Sequence, residues 1–192
     1  MLTSKHAMRV DSELVVETLT KLEGDVKGLF RKPSSRFVAW LKQKRIPAWL
    51  RHHLVRYALA RDVPVGVIWL YSPRNIRRWN DQYPIMTRRS FLQVGSTTSG
   101  DPVVIRYGDN QSVAGYLSCD ELWTDEPENP EEYFLPLADS LGRLVALAVQ
   151  IEKCPLDYYG TMVEMPKESR RTKNAGSAHS KGRASTKTKS ER

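Results

Sequence analysis

The alternation of apolar and polar positions is clearest between Phe91 and Leu117. An apolar run from Phe91 to Val94 stops at Gly95, a polar Ser-Thr-Thr-Ser-Gly turn follows, and a second run, Val103 to Tyr107, stops at Gly108 and Asp109. A third run, Ser112 to Leu117, comes after Gly108-Asp109-Asn110, residues that tolerate positive φ. Three short strands at this spacing predict an antiparallel meander. Further on, Leu137, Leu141, Leu144, Val145, Ala148 and Val149 recur at helical intervals and predict one long helix. Each large side chain it buries would contribute roughly 1.5 to 3 kcal/mol, enough to dock the helix on the meander.

Upstream the period is helical. Asp11 or Ser12 can cap a helix carrying Leu14, Val15, Leu19 and Leu22 before Gly24, set apart from the rest as a partly detached N-terminal element. Ser34 or Ser35 can cap a second helix, through Lys44, with Phe37, Trp40 and Leu41 on its inner face. Pro47 suits a helix start, and the following residues continue without a breaker, with Leu50, Leu54, Tyr57, Ala58 and Arg61 as the stripe. Pro64 ends that segment, and Gly66 to Tyr71 reads as a strand. Ser72-Pro73 opens another helix, with Ile76 and Trp79 inward, ending near Tyr83-Pro84.

Several phrases resemble the SUKH superfamily, which includes fungal cell-wall synthesis regulators and bacterial immunity proteins that neutralise secreted toxins. They are Phe-Leu-Gln-Val-Gly from Phe91, Gly100-Asp101 before an apolar strand, an acidic loop containing Trp123, and Phe-Leu-Pro-Leu-Ala-Asp-Ser-Leu from Phe134. The upstream order, Ile-Pro-Ala-Trp-Leu from Ile46, the Gly66 to Tyr71 strand and Ser-Pro-Arg-Asn-Ile from Ser72, extends the resemblance over roughly Ser35 to Lys153. It implies a SUKH-like α+β fold, a twisted and largely antiparallel sheet with flanking helices, and a non-catalytic protein-binding module. The division expected is an N-terminal helix and connector (1–33), the α+β domain (34–160) and a basic disordered tail (161–192), since the tail from Lys167 lacks the apolar residues to offset the entropy of ordering.

With 192 residues the chain has room for one domain and its tails. No apolar run approaches a membrane span and the first ten residues lack a signal-peptide core, so the expected location is cytoplasmic. Cys119 and Cys154 lie far apart without a metal-ligand pattern, and are expected as two buried free thiols with no metal site and no cofactor. The net charge of +8 conceals a division. Met1 to Ser90 carries 18 basic and 7 acidic residues, Phe91 to Met165 carries 3 and 13, and Pro166 to Arg192 carries 9 and 2.

Two surfaces follow as candidate sites. Asp120, Glu121, Asp125, Glu126, Glu128, Glu131 and Glu132 surround Trp123 and Tyr133, an arrangement able to imitate phosphates and cover the basic active site of a toxin or nuclease. A solvated loop whose Trp123 plugs the core is the alternative, and no stretch matches a calcium loop. Arg74, Arg77 and Arg78 share one helix face beside Trp79, with Arg88 and Arg89 nearby, and could hold nucleic-acid phosphates with the help of the basic tail. The alternative there is a solvated face, or internal pairing with the acidic segment. Asp101 reads as a turn-stabilising residue. Adjacent His52 and His53 point apart on their helix, one outward and one partly packed. No nucleophile motif or acid–base set can be assembled, so no catalytic residue is assigned.

Overall fold

The computed structural model describes residues 11–24, 28–108, 112–124 and 129–162. The fold is α+β: helices flank an open, six-stranded, fully antiparallel sheet. In chain order the elements are α1 (Ser12–Glu23), α2 (Ser35–Gln43), α3 (Ala48–Arg56), β1 (Val63–Val65), β2 (Ile68–Leu70), α4 (Pro73–Gln82), α5 (Pro84–Arg88), β3 (Phe91–Thr97), β4 (Pro102–Tyr107), β5 (Ser112–Leu117), α6 (Cys119–Thr124), β6 (Phe134–Ala138) and α7 (Leu141–Ala148). A 3-10 turn, Pro130–Tyr133, precedes β6. Strands lie side by side in the order in which the chain makes them. The basic tail from 163 onward lies outside the described residues.

The meander forms as its alternation dictates, but β3 does not stop at Gly95. It runs on to Thr97 through a register shift between Gln93 and Gly95. The expected strand at Gly66 to Tyr71 is a hairpin instead. β1 and β2 pair with Val65 opposite Ile68, and Gly66 takes the first turn position at φ 56°. A side chain there would be doubly excluded, because a Cβ would lie 1.9 Å from the carbonyl oxygen of Ala148. Pro64 is tolerated inside β1 because β1 is an edge strand and needs no second row of donors.

The single long helix expected from Leu137 onward is divided in two. Phe134–Ala138 is the other edge strand, and α7 begins only after Ser140, whose Oγ accepts the backbone N–H of Arg143 at 3.2 Å. Leu137 therefore reaches the core from a strand, four residues before Leu141, and the coincidence of spacing mimicked a helical stripe. Likewise α3 ends at Arg56. Tyr57 and Ala58 leave the helix so that Leu59 can bridge to Phe30, with Arg31 and Ala60 donating to Ala58 and Leu29 carbonyls at 2.8 Å each.

The main core lies between the helices and one sheet face. Leu19, Leu41, Ile46, Leu50, Ile68 and Leu144 are fully enclosed there. A smaller cluster, Met86, Phe91, Val104, Leu117 and Leu122, fills the opposite face under α5 and α6. The N-terminal helix is not detached: Val15 and Leu19 of α1 are buried in the main core, and α1 packs on α7. Gly142 makes that approach close, since a Cβ on it would meet the Asp11 carbonyl oxygen at 2.3 Å. Buried His53 adds a polar link, its Nδ1 lying 2.6 Å from Ser12 Oγ, while His52 stands exposed beside it.

Candidate anion-binding cleft

Two Ser-initiated helices define an open cleft of about 780 Å³. Ser34 caps α2, accepting the Phe37 N–H at 3.3 Å, and Ser72 precedes Pro73 at the start of α4. Both helix beginnings line the cleft, together with Arg31, Lys32, Arg36, Arg74, Arg77 and Arg78. The positive ends of two helix dipoles thus open onto a hollow already lined by six cations. The one carboxylate among its described lining residues, Asp62, is turned to structural work, accepting the Ser72 N–H at 2.7 Å and the Asn75 side-chain amide at 2.5 Å.

The cleft walls are held at fixed separation by Asp81. Its carboxylate accepts the Trp40 indole N–H at 2.8 Å from α2, and pairs with Lys44 at 3.1 Å and with Arg77 at 3.3 Å. Burial alone would raise its pKa, but these donors outweigh it and hold the carboxyl below the usual carboxylate value. Asn80, fully buried, pins α4 to the sheet by exchanging hydrogen bonds with the Gln93 backbone at 2.8 and 3.0 Å.

Of the arginines singled out on α4, Arg77 is paired, and with its own helix neighbour rather than with the acidic segment. Among the described residues Arg31, Lys32, Arg36, Arg74 and Arg78 have no carboxylate within ion-pair distance. Among the described residues, no carboxylate of the acidic segment pairs with a cation of this cleft. Arg78 instead lays its guanidinium 5.4 Å over the Trp79 ring. Arg88 borders a separate hollow with Lys44 and Arg45.

The acidic candidates are partly within view. Asp120 and Glu121 are exposed on α6, so what reads as a loop begins with a helical turn. Asp120 accepts the Tyr159 hydroxyl at 3.1 Å. Glu131 and Glu132, exposed on the 3-10 turn, are engaged by Arg106 at 2.8 Å and by the Asn129 amide at 3.3 Å. Asp125, Glu126 and Glu128 lie outside the described residues, as does the side chain of Trp123.

Asp101 is structural, though not as a local turn residue. Buried at 3% exposure, its carboxylate accepts the backbone N–H of Cys119 at 3.0 Å and that of Tyr158 at 2.9 Å. It thereby ties the start of α6 to the C-terminal segment. Burial, then the Asp101 carboxylate, pushes the Cys119 thiol up to about 12, the reverse of what a nucleophilic thiol requires. Cys154 is a buried free thiol 3.2 Å from the Tyr116 hydroxyl, and Cys119 is free and half-buried. Among the described residues no group of three His, Cys, Asp or Glu could hold a metal ion, and no helix is long and apolar enough to cross a membrane.

The second wall of the cleft, Arg31, Lys32 and Arg36, escapes a reading confined to one helix. Its signal in the sequence is the run Arg-Lys-Pro-Ser-Ser-Arg, cations bracketing a helix cap. Comparison of the chain with protein-family models, with curated proteins and with solved structures found no match.

Proposed function

We propose that the protein is a non-catalytic binding module that holds the phosphate backbone of a nucleic acid in the α2–α4 cleft. One observation carries this reading: among the described residues, five cations without ionic partners and two helix beginnings face one open hollow whose only carboxylate, Asp62, is otherwise engaged. Each phosphate held there releases condensed counterions, so affinity falls as a power of salt concentration. The test is fluorescence anisotropy with labelled oligonucleotides, using the full chain at several salt concentrations. Reversal of Arg74 and Arg78 together (Arg74→Glu, Arg78→Glu) is expected to weaken binding about 100-fold at low salt and to flatten the salt slope by roughly 2. Unchanged affinity in that variant would overturn the reading and move the binding to the basic tail.

A second reading keeps to the SUKH resemblance: a protein-binding module, of the immunity or regulatory kind, whose acidic corner covers a cationic partner such as a toxin's active site. It is favoured by Tyr159, 67% exposed and hydrogen-bonded to Asp120 beside Glu121, an aromatic anchor among carboxylates. Capture of a defined protein by nuclease-treated pull-down, lost with Asp120→Lys and Glu121→Lys, is the expected outcome. Capture that ignores both reversals would exclude the corner as the contact.

A further inference from the structure

The edge of the basic cleft carries aromatic rings as well as charge. Along β2 the side chains alternate, Ile68 and Leu70 buried and Trp69 42% exposed. Tyr71 continues the ladder, its N–H donating to the Val94 carbonyl at 2.8 Å, and its side chain interacts with Ser96, the residue paired opposite Trp69. Trp69 and Tyr71 are about 7 Å apart along the chain. The Tyr71 ring stacks on Trp79 with centroids 6.4 Å apart and planes 16° from parallel, and Arg78 lies over Trp79 from the cleft. The exposed indole of Trp69 thus precedes in the chain a Tyr71–Trp79 stack that is capped by an arginine of the cleft.

Sheet-borne aromatics beside a cationic groove are suited to bases whose faces are free. In a duplex those faces are already stacked on their neighbours. Only the phosphates would then reach the cleft, and Trp69 would add nothing. From this we infer that the ligand is single-stranded nucleic acid, its phosphates on the arginines of the cleft and a base stacked on Trp69; the inference rests on the nucleic-acid reading above.

The experiment compares a labelled single-stranded 12-mer of thymidine with a duplex of equal phosphate number, each titrated with the full chain at low salt. Wild-type protein, Trp69→Ala, Trp69→Tyr and the Arg74→Glu, Arg78→Glu pair are the four arms. The single strand is expected to bind at least ten-fold tighter than the duplex. Trp69→Ala is expected to lower single-strand affinity about ten-fold and to leave duplex affinity within two-fold, with Trp69→Tyr restoring most of the loss. Equal affinity for both ligands, still abolished by the arginine reversals, would overturn the single-strand inference while leaving the cleft intact. A Trp69→Ala loss shared equally by both ligands, or no loss at all, overturns it too. Failure of the arginine reversals to weaken either ligand removes the cleft reading and the inference with it.

Discussion

In the α2–α4 cleft five cations have no ion-pair partner among the described residues, whereas at the α6 corner Glu131 is bridged to Arg106 and Asp120 is bonded to Tyr159. The two surfaces also differ in what holds them. The cleft rests on Asn80, which fixes α4 to β3, and on two carboxylates, Asp62 and Asp81, each satisfied by its own donors. The corner hangs on a buried side chain, Asp101, reaching two backbone N–H groups far apart in sequence. Segment charge counts suggest that a basic half neutralises an acidic half. The pairs Lys21–Glu17, Arg61–Glu23, Lys44–Asp81, Arg77–Asp81, Arg106–Glu131 and Arg143–Asp139 all stay within one segment, so the cleft's field is left uncancelled by them.

The largest effect that would break this contrast is at Asp101. Asp101→Ala strands two buried donors and is expected to destabilise by about 3 kcal/mol in chemical denaturation, with oligonucleotide binding of the folded fraction unchanged. A loss of cleft affinity in that fraction would mean that the two surfaces are not independent.

Acid comes next. Burial lowers the His53 pKa to about 4, from an unfolded value near 6.5. The unfolded chain therefore binds the extra proton first, so stability is full above about pH 6.5 and declines as pH falls toward 4, by roughly 3 kcal/mol at most. Thermal melts of His53→Gln should lack that slope between pH 6.5 and 4. Oligonucleotide binding by folded protein should stay flat from pH 8 to 6.

Asp81 gives a smaller effect, and a directional one. Asp81→Asn is expected to cost about 1 kcal/mol and to lower oligonucleotide affinity several-fold by letting α2 and α4 move apart. The depressed Asp81 carboxyl contributes stability above the unfolded carboxylate pKa, lost as pH falls through the lower folded value. Least of all, Glu131→Ala should change stability by under about 1 kcal/mol, because its pair with Arg106 is solvent-exposed on both sides.

Much of the fold was legible where side-chain period and capping agree. Ser34, Ser72-Pro73 and the Phe91 to Leu117 alternation marked α2, α4 and the meander. β1 was hidden by Pro64, acceptable only because the strand is an edge, a fact of topology. β6 was hidden because Leu137 falls four residues before Leu141, and the Ser140 cap between them is a weaker signal than the stripe it interrupts. α6 is a single acidic turn supported from outside by Asp101. Of the cleft, the arginines of α4 were legible from their spacing. Their opposing wall lies some forty residues earlier, and its position depends on the Trp40–Asp81 contact, which no local pattern encodes.

Because neighbouring strands in the sheet are successive strands of the chain, each can be added after the one before it, with no strand waiting for a distant partner. The first helix is the exception. Val15 and Leu19 are covered in part by α7, more than a hundred residues later, so α1 is synthesised early and sealed last. During translation the newborn chain carries that apolar stripe only partly covered until the final helix arrives, a window in which it is open to chaperones.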